Sequence, residues 1–151
     1  MQFMQSSREE AEKVFIVVEN NQGAALSPGV VVEWSQTATD ADQGVKVELV
    51  DAVVNVTTGI AGRVAGVVDS TISTADTGRL QVYGPANVRA SASIAAGAFV
   101  VASSINATNI GHVTTGSAST LTGPAYAGAV VGWTLEDGPN ATNATVQLAL
   151  M

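Results

Sequence analysis

Few side chains in this 151-residue sequence combine a reactive type with a spacing that chemistry can use. His112, in Ile110-Gly111-His112-Val113-Thr114, is its one histidine. No carboxylate lies near it in the sequence to orient it as a general base, so it reads as a polar residue at a strand edge. Asp40 and Asp42 stand at the first and third places of an EF-hand-like loop, but Gly44 falls at the fifth, Val45 at the sixth and Asp51 at the twelfth. That loop needs glycine at the sixth place and glutamate at the twelfth, and the stretch reads as a solvated turn.

Glycines 59, 62 and 66 fit neither a dinucleotide fingerprint nor a phosphate loop. No G-x-S-x-G, S-x-x-K or H-E-x-x-H occurs, and the absence of cysteine removes thiol nucleophiles and thiolate zinc sites. The expectation is a protein that is not an enzyme and holds no metal or cofactor. The N-x-[ST] triplets at Asn55, Asn106, Asn140 and Asn143 read as products of an Asn- and Thr-rich composition.

The elements available to position any site are β-strands. Hydrophobic residues reach 46% with only 5% aromatics, so the core must be built from Val, Ala, Ile and Leu, and abundant Val and Thr favour strands. Candidate strands are residues 13–20, 24–35, 45–56, 62–69, 79–84, 87–94, 96–105, 111–116, 125–137 and 145–151, with the first two read as a hairpin. Pro85 is expected to break or bend its run. Trp34 and Trp133 are expected in the core. Closely and regularly spaced turn signals predict an all-β fold, a compact β-barrel or β-sandwich of β-tulip or jelly-roll type, as one domain over residues 13–151. Residues 1–12 form an N-terminal extended arm, with a short helical turn as its alternative.

The formal charge is −7, and residues 1–51 carry nine of the thirteen acids. From Ala90 to Leu135 there is no charged side chain. That neutral surface suits a packing contact. An acidic chain without a basic cluster speaks against direct nucleic-acid binding, and no run approaches the ~18 apolar residues of a membrane helix. Arg8, Glu9, Glu10, Glu12 and Lys13 stand where an export signal would need an apolar stretch.

One pattern occurs twice. Ala61 to Gly84 reads AGRVAGVVDSTISTADTGRLQVYG, and in the last part of the chain Ala127 to Leu150 reads AGAVVGWTLEDGPNATNATVQLAL. The shared residues include Gly66 with Gly132 and Gln81 with Gln147, none of which carries chemistry. The expectation is two similar hairpins, each a Gly-kinked strand, a surface loop and a returning strand.

The order of pieces resembles that of the capsid decoration, or cement, proteins of tailed bacteriophages. It rests on N-x-x-G-A-x-L-x-x-G at Asn20 or Asn21 to Gly29, G-x-x-Q-V-Y-G at Gly78 to Gly84 and G-x-x-L-E-D-G at Gly132 to Gly138. The resemblance implies a β-rich homotrimer on the outer capsid surface of the virion, made in the host cytoplasm, that binds the major capsid protein where capsomers meet and stabilises the shell against packaged DNA. It also implies that the arm makes that contact, with Met1, Phe3, Met4, Arg8 and Lys13 as candidates. The alternative is a carbohydrate-binding β-sandwich of a phage tail or cell-surface adhesin, with Trp34, Trp133, Tyr83 and Tyr126 as stacking platforms.

Overall fold

A computed structural model describes residues 12–35, 44–49, 64–103, 111–116, 130–137 and 143–150. Among them every regular element is a strand: β1 (Val14–Asn20), β2 (Val31–Trp34), β3 (Lys46–Leu49), β4 (Val64–Val68), β5 (Thr77–Arg89), β6 (Phe99–Ser103), β7 (His112–Thr115), β8 (Val130–Thr134) and β9 (Asn143–Ala149). The all-β expectation holds. Residues 1–11, all of the expected arm but Glu12, lie outside the described residues.

The strands run in the order β1-β3-β2-β4-β5-β9-β8-β6-β7, and an additional β1–β5 pairing closes the first five into a barrel. The N-terminal hairpin is not formed. β1 instead pairs antiparallel with β5 and parallel with β3, because the chain from Asn21 to Val30 crosses the barrel, tied by the Leu26–Ile72 bridge, rather than turning back.

β5 is the hinge of the architecture. Its first half, up to Tyr83, pairs with β1, and its second half, from Tyr83 to Arg89, pairs with β9. Gly84 sits between them at φ 89°, a left-handed conformation that turns the strand from one set of neighbours to the other. Pro85 therefore bends the run without ending it. Gln81 secures the bend, its Nε2 donating to the carbonyls of Tyr83 (3.1 Å) and Pro85 (2.9 Å).

Beyond this bend the first barrel is built again. Val67 opposite Gln81 and Val68 opposite Leu80 recur later in the chain as Trp133 opposite Gln147 and Thr134 opposite Val146. The β2–β3 pairs Val32–Leu49, Glu33–Glu48 and Trp34–Val47 recur as Val100–Thr115, Val101–Thr114 and Ala102–Val113. Even the irregularities match: the register shifts beside Gly66 in β2–β4 and beside Gly132 in β6–β8. Loop hydrogen bonds repeat as well, Asp69 N to Arg79 O as Leu135 N to Thr145 O, and Asn21 N to Val47 O as Ser91 N to Val113 O.

The second half of β5 takes the place of β1. Val18–Gly78 and Glu19–Thr77 correspond to Val88–Ala144 and Arg89–Asn143, and the parallel pair Asn20–Val47 corresponds to the bridge Ala90–Val113. The protein is thus two five-stranded barrels in tandem that share β5.

Each barrel has its own core. Val18, Leu26, Val30, Val32, Val47, Ala65, Val68, Ile72 and Leu80 fill the first. The second holds Val88, Ile94, Val100, Val113, Val131, Ala144, Val146 and Leu148 at largely equivalent places, and Val31 and Val67 of the first barrel pack into it. Burial of these aliphatic side chains at roughly 25 cal/mol per Å² is the main force holding the barrels together.

Both expected hairpins are present. The 70–76 loop is exposed except for Ile72, which plugs the first core. In the second loop Glu136 and Asp137 are exposed, and residues 138–142 lie outside the described residues.

Candidate functional site

The turn Ser27-Pro28-Gly29 lies against the second half of β5. Gly29 N donates to Val68 O (2.9 Å), and Gly29 O accepts from Arg89 N (2.8 Å). Beside this junction a cleft of about 640 Å³ opens. Its polar lining residues are Lys13, Asp69, Gln81, Asn87, Arg89, His112 and Asn143, and Val67, Val68 and Ala86 line it as well.

Strand register explains why these side chains meet. Asn87 and Arg89 alternate outward from buried Ala86 and Val88, Asn143 is the direct partner of Arg89, and His112 opens β7. Asp69 is held by Arg79 at 2.8 Å, and the Arg79 guanidinium also lies over the Phe15 ring, 5.2 Å from its centre. Arg89 has no ion pair, and the amides of Asn87 and Asn143 have no side-chain hydrogen bond, among the described residues.

His112 does stand on an outer strand, as its sequence context implies, yet it also lines this cleft. Its Nδ1 is buried without a hydrogen-bond partner. Burial, and then the neighbouring Arg89 charge, lower its pKa below the ordinary 6.5, against a smaller upward effect of the Ala90 backbone. Folding therefore favours neutral imidazole: stability is full above about pH 6.5 and declines as pH falls through that value. Urea midpoints at pH 7.5 and 5.0 should show this decline, and His112→Asn should make it shallower. An unchanged pH slope in the variant would refute the assignment.

A second feature lies on the outer face of the second barrel. Phe99, Trp133, Gln147 and Pro85 form one cross-strand row. Trp133 is 50% exposed, contrary to the core expectation, and Tyr83, 38% exposed, sits just before Gly84 and Pro85. The repeat explains the exposure. Val31 and Val67, the counterparts of Phe99 and Trp133, are covered by the second barrel, whereas no described residue covers Trp133 to the same extent. Trp34 packs half-buried on the first core.

Of the contact candidates named from sequence, Lys13 lines the cleft, and Met1, Phe3, Met4 and Arg8 lie outside the described residues, as do Asp40, Asp42, Asp51 and Tyr126. Arg89, Asn87 and Asn143 do not stand out as a site in the sequence, because Lys13, Arg89, His112 and Asn143 are far apart along the chain and only register unites them. Among the described residues no three of His, Asp or Glu gather as metal ligands.

This fold is shared with the N base of head fiber gp8.5 in bacteriophage phi29. The likeness covers 92% of this chain and 96% of that one, with a TM-score of 0.56 and 11% sequence identity. At that coverage the likeness takes in residues of both barrels. Neither a protein-family model nor a curated protein sequence matches the chain.

Proposed function

We propose that this chain is a structural, non-enzymatic virion protein that binds the outside of a tailed-phage capsid between capsomers and stabilises the shell against internal DNA pressure. The observation that carries this reading is the fold shared, over nearly the full length of both chains, with the base of a phage head fiber. The decoration-protein resemblance of the sequence points the same way. In this reading the working form is a homotrimer, and the Phe99–Trp133 row supplies its apolar contact between copies.

A trimer that engages several capsid subunits raises the effective concentration of each contact, and binding restricted to the mature lattice stabilises that lattice by mass action. Purified virions should contain the polypeptide, and particles lacking it should release DNA at lower temperature and in low salt. Particles that lose nothing on its removal would sink the proposal. Trp133→Ala should shift the purified chain from trimer to monomer in light scattering.

Half-exposed Trp133, with Tyr83 also exposed two strands away, favours one second reading, a carbohydrate-binding surface. Quenching and blue-shift of Trp133 fluorescence by added glycan, with no loss of particle stability in the deletion, would decide for it.

A further inference from the structure

In the first barrel, parallel β1 and β3 set Glu19 opposite Lys46, and Oε1 lies 3.8 Å from Nζ. The shared register gives the equivalent places in the second barrel to Arg89 and His112. One barrel neutralises this seam internally. The other sets a guanidinium near an imidazole and leaves the seam facing the cleft. Among the described residues this seam has no carboxylate to match Glu19, and Lys13, Asn87 and Asn143 line the same cleft. Asp69 on the same wall is held by Arg79.

We propose that the cleft at Arg89 and His112 binds a carboxylate of an acidic peptide segment on a partner protein, which supplies the negative charge that Glu19 supplies in the first barrel. The planar guanidinium fork matches a carboxylate in two parallel hydrogen bonds, and the two amides can receive and donate to the peptide backbone beside it. The two permanent cations that line the cleft among the described residues, on a chain of charge −7, are too few to hold a phosphate backbone. Among the described residues the cleft is lined by no Trp, Tyr or Phe on which a sugar ring would stack, which sets the acidic peptide ahead of an acidic glycan. A cleft of about 640 Å³ is within the ordinary range for binding sites. The inference concerns what this cleft binds and stands whether or not the chain sits on a capsid.

The test is titration of the full chain, followed by amide NMR, with a blocked Gly-Asp-Asp-Gly peptide, its Gly-Asn-Asn-Gly counterpart, glucuronate and inorganic phosphate. The diacid peptide should shift resonances of Asn87, Arg89, His112 and Asn143, and the diamide peptide should not. Arg89→Gln should weaken binding at least about tenfold, the equivalent of about 1.4 kcal/mol. Asn143→Asp places a carboxylate on the strand partner of Arg89 and should block the site to a similar extent, whereas Asn143→Gln should leave it open. No shift with the diacid peptide, affinity unchanged in Arg89→Gln, or equal binding of glucuronate or phosphate would each overturn the proposal.

Discussion

Gly132→Ala is expected to destabilise the protein by about 4 kcal/mol, through backbone strain and a main-chain clash together. Gly132 has φ 157° and faces β9, where an added Cβ would overlap the Gln147 carbonyl oxygen and stand 2.9 Å from its carbon. That carbonyl belongs to a paired strand, so relief requires β8 and β9 to part. Their separation would open the core at Leu148 and Val146, both fully buried.

The repeat supplies the control. Gly66 occupies the same place in β4, but its φ is not in the region closed to side chains, and its closest obstacle is the Leu80 Cβ at 2.9 Å. Gly66→Ala should therefore cost less, about 1–2 kcal/mol from overpacking. Equilibrium urea unfolding of the two variants decides the matter: a Gly132→Ala loss no larger than that of Gly66→Ala would show that the second bulge tolerates a side chain.

How much of this is legible in the sequence depends on how local each feature is. Strand content follows from Val, Thr and turn residues, and the hairpin echo is carried by Gly66, Gln81, Gly132 and Gln147, which lie in strand pairs joined by a single loop, β4 with β5 and β8 with β9. The pairing of β1 escapes a local reading because its choice of β5 over β2 is made by contacts far along the chain, such as Val17 with Arg79. The exposure of Trp133 has the same non-local origin, since its counterpart Val67 is buried only because a second barrel follows the first. For the cleft a signal does exist. Extending the echo to β1 and β3 sets Glu19 and Lys46 against Arg89 and His112, but the two strands need different offsets along the chain, which an ungapped comparison does not contain.

Asn20→Ala is expected to cost about 3 kcal/mol, since buried carbonyls that lose their donor retain their desolvation penalty. Asn20 is 0% exposed. Its Nδ2 donates to the carbonyls of Ala24 (3.0 Å), Ile72 (3.0 Å) and Ser73 (3.2 Å), and its Oδ1 accepts from Gln22 N (2.8 Å). One side chain thereby joins the chain after β1 to the loop between β4 and β5. Ile72 O keeps a second donor in Leu26 N, so the damage falls on Ala24, Ser73 and Gln22. Asn20→Asp should be worse at neutral pH, because a carboxylate offers those carbonyls no donor and brings a buried charge among them. Hydrogen exchange should quicken at Leu26, Ile72 and Ala75 while β8 and β9 stay protected. The second barrel already has alanine at the corresponding position, Ala90, so its closure does not depend on such a peg. If exchange instead rises equally in both barrels, Asn20 holds the whole fold rather than the seam of the first barrel.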